Sequence, residues 1–184
     1  HGYGVYNADD TVHYIYENDE EVIEKVERQF PGSTKDGAVN RLALRDILNK
    51  EPDKFRHLEQ IVHPVTRKYQ IIYIKKLIEE GKVGCVLDIP LLFETGGEKY
   101  VDVSVVVTAS EATQQSRVVL ERKVPLEIFN AIKDQQMPDR DKLKKADYII
   151  STDNNIEDTK SEVKEVAAKI KLINPKAWNT FFNK

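Results

Sequence analysis

The chain has 184 residues, the length of one ordinary domain or of one domain with a small added lobe. Its 28 basic and 31 acidic side chains give a formal net charge of −3, which argues against a nucleic-acid partner. Apolar residues make up 40% and charged residues 32%, as in globular rather than disordered proteins. No apolar run approaches the roughly 18 residues of a membrane span, and the single cysteine forms no internal disulfide. We therefore expect a cytoplasmic protein with no membrane partner.

Helical segments dominate the first 80 residues, after one short strand. Apolar residues at helical spacing between charged ones predict each helix. Pro64 lacks a backbone donor and restricts His63, so these two residues are expected to end or kink a helix. In chain order we predict a strand ending at Tyr6, a helix at 19–30, a polar loop at 33–40, and helices at about 42–50, 52–63 and 65–80.

Three apolar runs in the remainder of the chain predict β-strands. Residues 83–88 form a continuous run closed by an acid, which is typical of a parallel strand buried on both faces. Similar runs lie at 101–107 and 148–150, with charged helical segments at 110–145 and an amphipathic helix at about 156–172. Strands that alternate with helices predict an α/β fold with a doubly wound parallel sheet, and the helical block before them predicts an inserted helical lobe.

Two carboxylates follow predicted strands, where ligands bind to such a sheet. Asp9 comes after the first strand, where it could accept a proton from a substrate hydroxyl or help organise a metal ion. The alternative is that Asp9 caps the next helix. Asp88 ends the apolar strand, which suits a group that binds magnesium or its bound water. The alternative for Asp88 is an ordinary strand-to-helix loop, and the residues alone leave both questions open.

Basic residues lie at the predicted helix break and along the later helices. The Arg67 guanidinium, one turn beyond His63, could hold an anionic substrate by a two-pronged contact, whereas a lone histidine at a bend is more often structural. The basic residues between Arg117 and Lys145 form either a solvated face or a mobile flap that closes on phosphate groups. Phosphoryl transfer needs such cations around the developing charge.

A phosphate-binding loop is missing from the sequence. Neither G-x-x-x-x-G-K-[ST] nor G-x-G-x-x-G occurs, and the only Gly-Lys pair, Gly81-Lys82, has no glycine at the required position upstream.

Five motifs, in order and at the right spacing, resemble those of the dephospho-CoA kinase family. Residues 87–94 match L-D-[IV]-P-L-L-F-E at every place. The other four are VYNAD at 5–9 (V-[IF]-[DN]-A-D), NRLALR at 40–45 ([DN]-R-x-x-L-R), LEQIVHPVTR at 58–67 (L-E-x-I-x-H-P-x-x-R) and QMPDRDKLKKAD at 136–147 (Q-M-P-x-x-x-K-x-x-x-A-D).

The resemblance implies a P-loop kinase that transfers the γ-phosphoryl group of ATP, with Mg²⁺, to the ribose 3′-hydroxyl of dephospho-CoA. It implies that Asp9 is the catalytic base, that Arg122 contacts phosphate, and that Asp88 lies in the magnesium environment. The acceptor site would include His63, Arg67, Leu91, Leu92, Phe93 and Glu94, and the ATP side would include Arg117, Lys142 and Asn154. The implied parts are a core of 1–18, 81–116 and 146–173, an acceptor-binding lobe at 19–80, a helical lid at 117–145 and a tail at 174–184.

The sequence departs from the family pattern in two places. The family begins with a strand and G-G-I-x-[SA]-G-K-[ST], so we expect a segment on the order of 25 residues before His1 in the whole protein. The family's lid has arginines four apart, whereas Arg117 and Arg122 are five apart, a poorer spacing for facing side chains on a helix. The alternatives are another small-molecule P-loop kinase, for nucleoside monophosphates or shikimate, and a non-catalytic binding domain.

Overall fold

The computed structural model describes residues 1–182, which divide into two compact units. Gly2–Ile89 form the first unit, and Pro90–Lys184 with His1 form the second. The strands are β1 (Tyr3–Asn7), β2 (Thr34–Lys35), β3 (Ala38–Val39), β4 (Gly84–Asp88), β5 (Val105–Thr108) and β6 (Tyr148–Ser151). The helices are α1 (Ala8–Asn18), α2 (Glu20–Gln29), α3 (Arg41–Lys50), α4 (Phe55–Glu79), α5 (Glu111–Gln115), α6 (Leu126–Gln135), α7 (Asp139–Lys145) and α8 (Ile156–Ile170).

A parallel pair of strands, β1 and β4, lies beside helix α4 in the first unit. Their register pairs Gly4 with Cys85 and Asn7 with Asp88. Glycine fits at position 4 because a Cβ there would clash with the Leu77 side chain on α4. The carboxyl ends of both strands are thereby held side by side, at Asn7 and Asp88.

The core of the first unit lies among its helices. Amphipathic α2 buries Val22 and Val26 completely, and Phe30 follows at its C-terminal end. The other buried members of this cluster are Ile15, Tyr16, Val39, Leu44, Leu58 and Val62. The predicted helical lobe therefore contains a hydrophobic core, to which the C-terminal half of α1 also contributes.

A β-hairpin replaces the polar loop expected at 33–40, so that prediction was wrong. Strands β2 and β3 pair antiparallel around Asp36-Gly37, and both turn residues have positive φ, 52° and 82°. An Asp-Gly pair favours this two-residue turn because its backbone twist matches that of the flanking strands. The hairpin buries Val39 against the helical core.

Helix α4 runs through Pro64 without ending, so the helices predicted on either side of His63-Pro64 are one element. Proline removes one backbone hydrogen bond and crowds the preceding turn. Here Leu58 and Val62 before Pro64, and Gln70 and Leu77 after it, are all buried. Packing on both sides of Pro64 thus stabilises the continuous helix and outweighs the tendency of proline to end it.

A second parallel pair, β5 and β6, organises the second unit. Asp147 accepts hydrogen bonds from the Ser104 backbone N–H (2.8 Å) and hydroxyl (2.7 Å), which joins the N-terminal ends of the two strands. Lys176 and Ala177 are held in this unit, because Asp102 accepts hydrogen bonds from their backbone N–H groups over 2.5 Å and 2.8 Å.

The apolar strands are less buried than predicted. Val5 and Val86 pair across β1 and β4 and are 59% and 47% exposed, because they lie on the face opposite Leu77 of α4. Val107 of β5 is 65% exposed. The expectation of burial on both faces is therefore wrong for the residues that the structure describes.

Candidate active site

Asn7 and Asp88 end the two paired strands of the first unit and face each other. The Asn7 amide donates to Asp88 Oδ2 over 3.4 Å, and its side-chain oxygen accepts from the Asp10 backbone N–H over 3.0 Å. Asn7 is thus the N-cap of α1, and the alternative that Asp9 caps this helix is wrong. Asp9 is exposed in the first turn of α1.

A cavity of about 310 Å³ lies beside this strand end, between β1, α1 and α4. Tyr14 and Tyr69 meet edge to face at 5.7 Å between ring centroids, and Tyr6 and Tyr73 are tilted at 5.9 Å. The other lining residues are Val5, Asn7, Asp10 and Thr11. Aromatic walls with a few polar groups are typical of a small-molecule pocket.

Helix α4 carries His63 and Arg67 past the same end of β1. The Tyr6 hydroxyl donates to the Thr66 carbonyl over 3.1 Å, which fixes this turn of α4 against the strand. His63 is exposed on the face of α4 that also carries Arg56, Glu59, Gln60 and Pro64. Arg67 donates to Gln70 Oε1 over 3.2 Å. Because α4 is continuous, His63 and Arg67 lie one turn apart on the same face of the helix.

In the second unit, Glu94 is bound by the segment around α7. Its carboxylate lies 2.9 Å from the Lys142 ammonium and accepts from the Met137 backbone N–H over 2.9 Å. Burial raises the pKa of Glu94, but the hydrogen bonds from Lys142 and Met137 lower it by more than burial raises it. The pKa of Glu94 therefore lies below its usual value. The structure therefore pairs Glu94 with Lys142. The resemblance assigned these two residues to different substrates, Glu94 to dephospho-CoA and Lys142 to ATP.

The other residues of the same motif differ in exposure. Phe93 is buried, with the Lys145 ammonium 5.7 Å from its ring centroid, whereas Leu91 is exposed and Leu92 is half-buried. Lys145 also lies 3.6 Å from Glu98. Phe93 therefore packs within the second unit.

Arg117 and the residues around Asn154 lie together at the carboxyl end of β6. The Arg117 guanidinium donates to Thr152 Oγ1 (2.9 Å) and to the Thr152 carbonyl (2.5 Å). Hydrogen bonds from the Thr113 hydroxyl and from the Ser110 backbone and hydroxyl hold the pKa of Asp153 below its usual value. Asn154 is exposed in the bend that follows.

Arg122 lies at the end of a π-helical turn that follows α5. Residues Ser116–Glu121 form this turn, and the Arg122 backbone N–H donates to the Arg117 carbonyl over 3.1 Å, a bond to the fifth preceding residue. The two arginines are therefore one wide turn apart. In a regular α-helix, side chains five residues apart face each other poorly, but this expectation does not apply to the π-helical backbone observed here.

The tyrosine cavity, Thr152 and the Met137 backbone N–H are absent from the sequence-based set of site residues. Tyr69 and Tyr73 are four apart on α4, and that spacing is the signal that could have identified an aromatic face. The contacts of Thr152 and Met137 depend on tertiary structure and leave no local signal.

The part of the chain that the structure describes has neither a clustered set of metal-binding side chains nor a membrane-spanning helix. Residues 1–182 contain no group of three or more His, Cys, Asp or Glu side chains able to hold a metal ion. Magnesium that arrives with nucleotide phosphates needs only one or two protein carboxylates, and the exposed Asp88 fits that requirement. Over the same residues, no helix has both the length and the apolar content to cross a membrane.

Comparison with known proteins identifies one family consistently. The family model for dephospho-CoA kinase, CoaE, matches residues 1–158. The dephospho-CoA kinase of Rhodopseudomonas palustris strain HaA2 is 39% identical over 165 residues, which are 90% of this chain and 82% of the relative. That of Agrobacterium fabrum is 38% identical over 92% of this chain and 86% of its own length. The matches do not favour the other small-molecule kinases or a non-catalytic domain.

Solved structures agree with the sequence comparison. TT1252 from Thermus thermophilus superposes with a TM-score of 0.77 and 29% identity, covering 92% of this chain and 85% of that one. The dephospho-CoA kinase from Campylobacter jejuni gives a TM-score of 0.65 and 27% identity, covering 92% and 86%. The α/β architecture with parallel strands is thus shared with these proteins.

Proposed function

The chain belongs to the dephospho-CoA kinase family, and from that premise we propose that it phosphorylates the ribose 3′-hydroxyl of dephospho-CoA to give coenzyme A. The 3′-oxygen attacks the γ-phosphorus of ATP, the bond to the β,γ-bridging oxygen breaks, and ADP leaves. Such transfer depends on positioning and electrostatic stabilisation more than on covalent chemistry by the protein.

Asp9 is the proposed base that takes the proton of the 3′-hydroxyl. The observation that carries this role is its place, exposed in the first turn of α1 directly after β1, with no hydrogen bond to its carboxylate among residues 1–182. A carboxylate that is not occupied within the protein remains available to a substrate hydroxyl.

The first unit is the proposed acceptor-binding part. His63 and Arg67 on α4 offer a ring nitrogen and a guanidinium to the anionic diphosphate of dephospho-CoA. The tyrosine cavity, with acidic Asp10 at its wall, suits an uncharged portion of the acceptor better than a phosphate. Leu91, Leu92, Phe93 and Glu94 are assigned to the acceptor on their motif alone.

The basic residues of the second unit are the proposed ATP side. Arg117, anchored at the β6 loop beside Asn154, belongs to this part, together with Lys142 and Arg122. Bound Mg²⁺ would neutralise phosphate charge in the transition state, and Asp88 would hold it or its water. Residues 117–145 would act as a lid that excludes water from the reaction.

The finer architecture is part of the same proposal. We assign the core to 1–18, 81–116 and 146–173, the acceptor-binding lobe to 19–80, and the tail to 174–184. The fold class that we propose is a doubly wound parallel sheet of P-loop kinase type with an inserted helical lobe and a helical lid. A cytoplasmic location agrees with the single half-buried thiol, Cys85.

The test is dephospho-CoA-dependent release of ADP by the whole protein, with MgATP and the purified enzyme. Asp9→Asn is expected to lower kcat by about 10²- to 10⁴-fold, because the amide cannot accept the hydroxyl proton. ATP binding by this variant, measured calorimetrically, should change little. Glu17→Gln removes another exposed carboxylate from α1 and serves as the control, with turnover equal to wild type. Full turnover by Asp9→Asn would refute the assignment of the base.

A further inference from the structure

The position of the tyrosine cavity in the first unit distinguishes between the parts of the acceptor that it could hold. Dephospho-CoA has two uncharged portions, the adenine base and the pantetheine arm. The cavity is lined by Asn7 at the end of β1 and by Asp10 in the first turn of α1. Asp9, the proposed base, precedes Asp10 in the same turn. The cavity therefore lies next to the place proposed for the ribose 3′-hydroxyl.

The covalent structure of the acceptor then favours the base as the occupant. Adenine is attached to the same ribose that carries the 3′-hydroxyl, whereas the pantetheine arm begins beyond the diphosphate. Successive side chains of an α-helix point about 100° apart around its axis, so Asp9 and Asp10 present their carboxylates to neighbouring regions of space. A ribose held at Asp9 brings its base, and not the distant arm, within reach of Asp10.

The walls of the cavity suit a flat heteroaromatic ring. Tyr69 and Tyr73 lie four residues apart on α4. Each meets a second tyrosine ring, Tyr14 for the former and Tyr6 for the latter. Tyr69 and Tyr73 are half-buried and Tyr14 is exposed, so part of each ring surface is open to a ligand. Nucleic-acid bases stack favourably on such side chains, and a volume of about 310 Å³ is ordinary for a small-molecule pocket.

The Asp10 carboxylate is a hydrogen-bond acceptor that the protein leaves open. Other polar groups of the cavity are already used, because the Tyr6 hydroxyl donates to the Thr66 carbonyl over 3.1 Å and Thr11 Oγ1 donates to the Asn7 carbonyl over 2.9 Å. The Asn7 side-chain oxygen accepts from the Asp10 backbone N–H. The carboxylate of Asp10 is exposed and, within residues 1–182, makes no hydrogen bond or ion pair.

The chemistry of an ionised carboxylate fits adenine and opposes a 6-oxopurine. A carboxylate accepts hydrogen bonds and donates none, and acidic side chains pair with the exocyclic amino groups of bases. Adenine carries such an amino group at its 6-position. Hypoxanthine has a carbonyl there, so two acceptors would face each other without a shared proton.

We propose that the tyrosine cavity holds the adenine of the acceptor and that Asp10 accepts a hydrogen bond from its 6-amino group, which makes Asp10 the residue that selects adenine over a 6-oxopurine. The inference rests on the proposed kinase function and names the part of the acceptor that this cavity binds.

Two acceptors compared with the whole wild-type protein test the inference without any substitution. They are dephospho-CoA and its analogue in which hypoxanthine replaces adenine, with initial rates of ADP release measured in MgATP. The kcat/KM for the adenine form should be about 10- to 100-fold higher, because the wrong base leaves a carboxylate and a carbonyl unpaired. Equal kcat/KM values for the two acceptors would overturn the inference.

Asp10→Asn should remove most of this preference, because its amide N–H can donate to the 6-carbonyl. The kcat/KM for dephospho-CoA should fall and that for the hypoxanthine form should rise, which brings their ratio to within about threefold of one. A merely structural defect would lower both values together. Glu17→Gln, at an acid of α1 outside the cavity, is the matched control and should keep the wild-type ratio. An unchanged ratio in Asp10→Asn would overturn the assignment of Asp10.

Tyr69→Leu shows which portion of which substrate the cavity holds. The probe is adenosine 5′-diphosphate with a methyl ester in place of the pantetheine arm, measured as an inhibitor that competes with dephospho-CoA. The substitution should weaken the probe and raise the KM for dephospho-CoA by the same several-fold factor, because both contain the base. A loss confined to dephospho-CoA would assign the cavity to pantetheine, and a loss confined to ATP would assign it to the nucleotide donor. Either result would overturn the inference. No dephospho-CoA-dependent turnover by the wild-type protein would instead overturn the proposed function, and this inference with it.

Discussion

Replacing Lys142 by methionine tests whether Lys142 serves the fold or contacts ATP. Of the ion pairs within residues 1–182, Lys142–Glu94 has the least exposed partners, with side chains 13% and 18% exposed. Removal of one partner of a buried pair costs about 3–5 kcal/mol, because the other charge is left without compensation. Here the Met137 N–H remains on the Glu94 carboxylate, so we expect about 2–3 kcal/mol.

Lys144→Met is the matched control, because it removes the same charge from the same helix. Lys144 lies 3.2 Å from Asp141, but its side chain is 66% exposed, and exposed pairs contribute about 0–1 kcal/mol. Urea unfolding followed by Trp178 fluorescence is the assay, since the chain's single tryptophan lies in the same unit. With an m value of about 1–3 kcal/mol/M, the midpoint for Lys142→Met should fall by about 1 M or more.

The pH dependence provides a second readout of the same pair. The folded pKa of Glu94 lies below its ordinary value of 4.5, so its stabilising contribution is complete above that value and is lost as the pH falls through the folded pKa. The difference in stability between wild type and Lys142→Met should therefore shrink as the pH falls below 4.5 and through the folded pKa of Glu94. Equal urea midpoints for Lys142→Met and Lys144→Met would refute the structural role. A raised KM for ATP without loss of stability would show that Lys142 contacts ATP instead.

Three further predictions concern the first unit. Gly4→Ala should destabilise it by about 1–3 kcal/mol in urea unfolding followed by circular dichroism, because the new methyl group meets Leu77, and Leu77→Ala should relieve part of that loss. Burial raises the pKa of Cys85 to about 11, so a thiol reagent should label the folded protein slowly at pH 8 and rapidly in urea; rapid labelling of the folded protein would contradict this. Tyr69→Leu should raise the KM for dephospho-CoA several-fold while kcat changes less, with Tyr14→Phe close to wild type, and an unaltered KM would remove the cavity from the acceptor site.

Local sequence rules predicted most elements but failed where packing overrides them. The strand run at 148–150 and the helix from Ile156 are confirmed, because each has apolar periodicity between clear turn signals. Pro64 is a strong helix breaker in isolation, yet α4 continues through it because the flanking turns are buried. No rule confined to neighbouring residues contains that information.

The hairpin around Asp36-Gly37 was predictable, and the cap of α1 was nearly so. An Asp-Gly pair is a specific signal for a two-residue hairpin turn. Asn7 and Asp9 are both good N-caps, and the side-chain bond from the Asp10 N–H to Asn7 decides between them. That bond frees the Asp9 carboxylate for another role, so a one-residue difference in the cap matters for function as well as for structure.

The described carboxylates divide by whether the protein already satisfies them. Glu94 has Lys142 and the Met137 N–H, and Asp153 has Ser110, so both are occupied by structural partners. Asp88 has one long contact, and Asp9 has none within residues 1–182. A satisfied carboxylate must lose existing hydrogen bonds before it can bind a ligand, whereas an unsatisfied one loses only water. By this argument Glu94 would have to exchange its Lys142 and Met137 partners before it could meet a substrate, whereas Asp9 and Asp88 would lose only water on meeting a hydroxyl or a cation.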